Sequence, residues 1–186
     1  MGTISAPRPV KLFAGVLSAD PALFPAVEER LCSLFGKVEL RTEPFPFDST
    51  AYYDEEMGRP LKRVFYGFCE LIVAETISRI KVQTNRIEAE FASRSSGARR
   101  PVNIDPGYLE EAKLVLASTK NFSHRILISG GIYAEVTMRF ENREWRALPW
   151  TFPDFRTGRY NDFFTALRNN YRRQLKDPGA IPVSNS

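Results

Sequence analysis

Apolar positions recur along this chain with two different periods, and the switches between them mark its elements. Residues 9–17 are almost continuously apolar, the signature of a strand buried on both faces and therefore central in a sheet. Asp20-Pro21 then offers an N-cap followed by a proline at the first helical position, and Leu23, Val27, Leu31 and Leu34 repeat at helical spacing until Gly36. Pro25 is expected to disturb the first turn, because its missing N–H falls where an intrahelical bond is due. Residues 37–42 alternate as a half-buried strand, which the proline-broken Glu43-Pro44-Phe45-Pro46-Phe47 ends. Residues 61–71 are rich in aromatic and branched side chains, as a strand requires, and Ile77, Ile80, Thr84, Ile87 and Phe91 place a long amphipathic helix over 75–93. A polar loop over 94–100 and a short strand over 101–104 follow. The order strand, helix, strand, strand, helix, strand is that of a ferredoxin-like unit.

The second half changes character. Residues 113–119, 124–129, 132–140 and 143–148 read as four short strands of an antiparallel meander, with Gly130-Gly131 as the clearest hairpin signal. Over 132–140, Ile132, Ala134, Val136, Met138 and Phe140 form a core face, and Tyr133, Glu135, Thr137 and Arg139 a polar one. A three-residue loop at 129–131 sets Ile128 opposite Ile132 and Arg125 opposite Glu135, whereas a two-residue loop opposes Arg125 to Val136; charge matching selects the longer loop. A turn at Glu141-Asn142 puts Arg139 opposite Glu144 and Met138 opposite Trp145. From Tyr160 onward, Phe163, Phe164, Leu167, Tyr171 and Leu175 mark a closing helix whose last turns carry Arg168, Arg172, Arg173 and Lys176 against the negative end of the helix dipole. The expected fold is therefore α+β: a ferredoxin-like βαββαβ front half, extended by a C-terminal antiparallel meander and closed by a helix. It forms one domain over residues 1–186, ordered over 8–178 with loose termini.

Composition narrows the class. With 186 residues, 43% hydrophobic and 26% charged, the chain has the makeup of a globular protein with a real core, and collagenous, strongly disordered and membrane-spanning classes are excluded. No apolar run approaches the roughly 20 residues that cross a bilayer, so no membrane partner is expected. The start lacks the features of a secretion signal, which points to a cytoplasmic protein, and Cys32 and Cys69, far apart, suit reduced thiols used in packing. The net charge of +4 is uneven: residues 1–93 hold 11 Lys+Arg against 13 Asp+Glu, and residues 94–186 hold 15 against 9. A basic second half suits either an anionic partner or plain solubility. Oligomeric state has no signal.

Three constellations have chemical potential. The first joins Asp105 and Tyr108, placed by an Asp105-Pro106-Gly107 turn at a strand end, to Lys113, Lys120, His124, Arg125, Glu135 and Arg139. Here His124, Glu135 and Asp105 are the catalytic candidates, with His124 transferring a proton and Glu135 orienting its partner, while Tyr108, Lys113, Lys120, Arg125 and Arg139 are candidates for holding a small anion such as a phosphate or nucleotide. The same residues also suit a turn with cross-strand ion pairs. The second is Asp48, Asp54, Glu55 and Glu56, beside Phe45, Phe47, Tyr52 and Tyr53: enough carboxylates for Mg²⁺, or a solvated acidic connection over a ring-capped core. With one histidine in the chain, a zinc site built on several histidines is excluded. The third is Trp150, Phe152 and Arg156, which suit stacking on bases or another planar ligand and support an alternative function as an RNA- or protein-binding module.

The segments PFPFD (44–48), YYDEEMG (52–58), PLKR (60–63), NIDPGYL (103–109), STK (118–120), HRILI (124–128), GIYAEVT (131–137) and PWTFPDFR (149–156) together resemble an uncharacterised family of small bacterial proteins catalogued only as a domain of unknown function. The resemblance spans nearly the whole chain in one order and implies a bacterial single-domain protein. It brings no activity and no site residues.

Overall fold

The computed structural model describes residues 2–50, 53–177 and 183–184. Its elements are β1 (Val10–Ser18), α1 (Phe24–Phe35), β2 (Val38–Arg41), β3 (Phe45–Phe47), α2 (Asp54–Met57), β4 (Leu61–Ile72), α3 (Ile77–Arg94), β5 (Val102–Leu109), β6 (Lys113–Ser118), β7 (Ile126–Ser129), β8 (Ile132–Glu141), β9 (Glu144–Ala147), α4 (Pro153–Arg156), α5 (Asn161–Lys176) and β10 (Val183–Ser184). The protein is α+β, with all ten strands in one sheet along the path β10-β4-β1-β5-β6-β8-β7; β2 and β3 also pair with β4, and β9 with β8. Every pairing is antiparallel except that of β10 with β4. The expectation of a loose tail beyond Pro178 falls largely outside the described residues, though Val183 and Ser184 within it form β10. Among the described residues no helix is long and apolar enough to cross a membrane.

The continuous apolar pattern of β1 has its cause in layering. Val10, Leu12, Ala14 and Val16 pack under α1 and α3, together with Val27, Leu31, Ile80 and Ile87. Phe13 faces the other way, into a ring-rich core with Phe65, Trp145, Phe155, Phe163, Phe164 and Leu167 under α5. Both faces of the strand are thus covered, and all nine of its residues are buried. Even Lys11 is enclosed: its ammonium donates to the carbonyls of Phe68 at 2.9 Å and Cys69 at 3.1 Å and lies 2.9 Å from Glu39. Pro25 does not disturb α1, contrary to expectation. A 3₁₀ turn over Pro21–Leu23, capped by Asp20, delays the α-helix to Phe24, so Pro25 sits where an N–H has no helical partner.

Three further expectations are corrected. Asp105-Pro106-Gly107 makes no turn; β5 runs straight through it, with Ala14 opposite Pro106. Ile104 turns both its N–H and its C=O away from β1, to Glu88 and Lys81 of α3. By the two-residue period, Pro106 presents its missing N–H on that same outer side, where β6 has already left the ladder, so no sheet bond is lost. The β7–β8 turn is the two-residue one, Gly130-Gly131, both at positive φ, with Ser129 opposite Ile132. A bulge before Ser129 then restores the register, and Leu127 meets Tyr133 and Ile126 meets Ala134. The β8–β9 turn is Asn142-Arg143, also at positive φ, which sets Phe140 opposite Trp145 and Arg139 opposite Arg146.

Gly107 shows why this strand needs a glycine. A Cβ placed there would lie 2.4 Å from the Val115 carbonyl oxygen and 2.7 Å from the Phe13 ring. Backbone cannot yield as a side-chain tip does, so Gly107→Ala should cost at least about 1–3 kcal/mol, read as a fall in urea midpoint with an unchanged m-value.

Alkaline pH tests the packing. Burial raises the phenols of Tyr66, Tyr160 and Tyr171, the last to about 12. A phenol that holds its proton in the fold after the unfolded chain has released it stabilises below pH 10, and that contribution is lost as pH rises towards 12. Lys11, lowered by desolvation, has the opposite sign and offsets only part of this. Stability should be flat from pH 7 to 9 and fall above 10, with a shallower fall in Tyr171→Phe; a stability rising from pH 10 to 12 would refute the assignment.

Candidate functional site

Two polar networks occupy the end of the sheet where β5 and β6 part, and one covering segment touches both. The first centres on Glu135 of β8. Its carboxylate, with a side chain only 1% exposed, receives the Arg125 Nε–H at 2.6 Å and His124 Nε2 at 2.9 Å on one oxygen, and the Thr137 hydroxyl at 3.4 Å on the other. The bulge in β7 is what keeps Arg125 level with Glu135. Arg125 also donates to Ser118 Oγ at 2.9 Å and to the Lys120 carbonyl at 3.0 Å, and its guanidinium lies over the rings of Phe122 and Phe152. Because an ionised carboxylate only accepts, Nε2 of His124 carries the hydrogen, and Nδ1 keeps its lone pair in the neutral ring. The imidazole lies nearly parallel to Trp150 (centroids 5.4 Å apart, 10°) and to Phe122 (6.0 Å, 18°), both of which are exposed.

The polar face of β8 is therefore not solvated as its alternation suggests: Glu135 and Thr137 are buried. The cover is the segment from Pro149 to Arg156. Trp150 Nε1–H donates to the Val136 carbonyl at 2.8 Å, the Thr151 hydroxyl bonds the Thr137 carbonyl, and Arg156 donates to the Pro149 and Thr151 carbonyls. Arg156 is thus engaged in holding its own turn.

The second network starts at the outer edge of β5. Lys81 donates to the Ile104 carbonyl at 2.7 Å, and Glu88 accepts from the Ile104 N–H at 2.8 Å. Asp105 lies 3.9 Å from Lys81 and 3.8 Å from Arg63 and accepts from Asn103 at 2.8 Å, while Arg100 pairs with Glu88 at 2.8 Å. Arg63 of β4 is buried against Asp154 of α4 at 2.8 Å, and the Tyr160 hydroxyl donates to that same carboxylate at 3.1 Å. Burial disfavours the Arg63 charge, but Asp154 and Asp105 outweigh it and move the guanidinium above its ordinary range.

The first constellation is therefore only partly assembled. His124, Arg125 and Glu135 meet, with the Lys120 backbone beside them. Asp105 belongs to the second network, and no hydrogen bond or ion pair joins it to that trio. Tyr108 faces the α3 side, in a groove of about 720 Å³ shared with Val73, Ile77, Ile128 and Ala134. Lys113 pairs with Glu110 at 2.9 Å, and Arg139 with Glu141 at 3.5 Å. The acidic connection is dispersed: Asp54 pairs with Arg59, Glu56 approaches Arg100 at 3.7 Å and Asp48 approaches Arg159 at 3.9 Å. No group of three or more His, Cys, Asp or Glu that would hold a metal exists among the described residues, so the Mg²⁺ arrangement of Asp48, Asp54, Glu55 and Glu56 is not formed there. Many second-half arginines are likewise committed locally, Arg146 to Glu144 and Arg172 to Glu111 among them.

Sequence reasoning passed over Lys81, Glu88, Arg63 and Asp154. The legible signal was Lys81 and Glu88 seven residues apart, two turns along one face of a helix, beside a strand whose edge needed partners.

The buried Arg63–Asp154 pair yields a thermodynamic test. Asp154→Ala leaves an enclosed guanidinium and should cost about 3–5 kcal/mol, whereas Arg63→Met with Asp154→Leu should cost clearly less than the two single changes together. Additive losses in urea titrations would show that the pair is not coupled.

A sequence model of a family described as "Domain of unknown function (DUF4416)" matches residues 8–171. No curated protein and no solved structure matches the chain.

Proposed function

The chain belongs to the DUF4416 family, and we propose that it binds a small anionic, ring-bearing ligand at His124 and exchanges a proton with it. The observation that carries this reading is the fixed imidazole. Glu135 takes Nε2, no hydrogen bond from the described residues engages Nδ1, and the ring stands between a buried ion pair and exposed aromatic side chains. Arg125 and Glu135 cancel in charge, so a proton on Nδ1 turns the local site net positive, and an anion and the proton favour one another's arrival. Trp150 and Phe122 offer faces to a planar ring. In this reading His124 is the proton carrier, Glu135 and Arg125 are positioning residues, and the reaction class is acid–base chemistry on a phosphate- or carboxylate-bearing substrate.

The scaffold we read as ferredoxin-like in its front half. The order β2-β4-β1-β5, antiparallel throughout, and the packing of α1 and α3 on one face support it. One sheet running through the described chain supports a single domain, and the reduced cysteines suit a cytoplasmic setting.

The test uses adenosine monophosphate and inorganic phosphate as probes. Millimolar nucleotide should raise the melting temperature of the wild type by a few degrees, and both His124→Ala and Trp150→Ala should weaken its binding at least ten-fold. Nitrogen NMR should find the neutral ring protonated at Nε2, with that preference lost in Glu135→Leu. If neither probe shifts the melting temperature, or if His124→Ala responds as the wild type does, the proposal fails; retention of RNA that falls steeply with salt would favour the alternative binding module.

A further inference from the structure

Tyr108 stands apart from His124, and its own surroundings give it a different use. Its half-buried phenol, raised by desolvation, has no hydrogen-bond partner among the described residues. The ring lines the groove of about 720 Å³ on the α3 side of the sheet, a volume typical of small-molecule sites. A smaller hollow of about 280 Å³ continues it along α3, and Ser78, Arg79 and Ser129 line both. The walls are sorted by polarity. Val73, Ala74, Ile77, Tyr108, Ile128 and Ala134 line the larger part, whereas Gln83, Arg86 and Gly130 join Arg79 around the smaller one, beside Val82 and Ile132. Arg79 and Arg86 are seven residues apart, two helical turns or about 10 Å along the axis, so both guanidinium groups border one hollow. Neither makes a hydrogen bond or an ion pair with any described residue. Every other arginine of residues 1–93 is paired with a carboxylate, in a half where acids outnumber bases. The one carboxylate of the lining, Glu75 on the 3₁₀ turn Ala74–Thr76, borders the apolar part alone and turns an anionic group away from it.

We propose that this groove binds an anionic amphiphile. Its aliphatic body lies between Ile77, Tyr108 and Ile128, its phosphate monoester or carboxylate head lies between Arg79 and Arg86, and the Tyr108 hydroxyl takes one polar atom of the body. Two unpaired guanidinium groups suit a phosphate or carboxylate because each offers forked donors as well as charge. The apolar wall supplies the rest of the affinity by removing the body from water. Because that wall lies inside a hollow between helix and sheet, it takes a monomer from solution rather than a lipid held in a bilayer. The site is separate from the one at His124: Ala134 lines the groove and the next residue, Glu135, holds His124, so the pleat of β8 puts the two on opposite faces.

Calorimetry and NMR on the full chain decide it, with octanoyl glycerol phosphate below its micelle concentration, octyl phosphate, and glycerol phosphate as the head alone. The wild type should bind the octanoyl ester at least about ten-fold tighter than glycerol phosphate. Arg79→Gln and Arg86→Gln should each weaken it about five-fold and together abolish it, and Ile128→Asp should weaken it about ten-fold. All three positions are exposed, so the melting temperature should hold. Tyr108→Phe should weaken the octanoyl ester and leave octyl phosphate, which has no carbonyl, unchanged. His124→Ala should bind the ester as the wild type does. The proposal is overturned if the ester fails to bind at about 1 mM, or if the double arginine variant binds it equally well. Loss of binding in His124→Ala would assign the amphiphile to the other site, and pelleting with phosphatidylglycerol vesicles without capture of the soluble ester would assign the charge to a membrane surface; each also overturns it. A failure of adenosine monophosphate to bind at His124 leaves all of these readouts unaffected.

Discussion

A strand that loses its neighbour inside a protein leaves N–H and C=O groups that something must satisfy, and β5 meets this demand at Ile104. β6 accompanies β5 only over Gly107–Leu109 and then stays with β8. The helix above supplies side chains where a strand would have supplied backbone: Lys81 gives the donor and Glu88 the acceptor. Those substitutes are charged, and buried charge calls for compensation. Arg100 answers Glu88, Asp105 faces Lys81, Arg63 faces Asp105 and Asp154 answers Arg63. Four elements are thereby joined by one electrostatic chain whose origin is a single unpaired stretch of backbone.

That chain ends on α4, and α4 belongs to the segment that covers Glu135. Asp154 anchors the segment's far end to β4 through Arg63, and Thr151 and Trp150 fasten its near end to β8. Phe152 sits between, within cation–π reach of Arg125, and Phe155 stands beneath Arg63. The two networks share no hydrogen bond, yet they hold one lid. The imidazole of His124 inherits its fixed position from both, because Trp150 stacks on it and Glu135 lies sealed below it. Glu135 stands on a strand, and the connection that carries His124 and Arg125 takes its precision from their bonds to that carboxylate.

How far the sequence could be read follows from which forces are local. β1, α3 and α5 were legible because their periodicity records which faces are covered. The match of Arg125 to Glu135 was legible from charge alone, although the loop that delivers it has two residues and the bulge supplies the missing shift. Asp105-Pro106-Gly107 was misread because turn propensity is a local preference, and the strand is imposed by β1 on one side and by the press of Val115 and Phe13 on the other. The polar face of β8 was misread for a related reason: alternation reports polarity, and polarity does not reveal that a later segment folds back over it. Tyr108 and Asp105 sit on opposite faces of one strand, as neighbours of different parity must, so a pocket using both was excluded once the turn became a strand.

Layering also explains where the apolar surface lies. α1 and α3 cover β4, β1 and β5, and α5 covers the reverse face around Phe13 and Phe65, so protection thins with distance from the central strand. β7 is the last strand on the path, and only its Ile128–Ser129 end approaches α3, across a shared groove. A solvated edge strand would be expected to carry polar residues on at least one face, and β7 is apolar on both. The core gains nothing from Ile126 or Leu127, which remain in water, so intramolecular packing does not account for these residues. The fold thus places its fixed histidine and its uncovered apolar edge at adjoining positions of one short stretch, and any contact made through that edge would border the rings that surround His124.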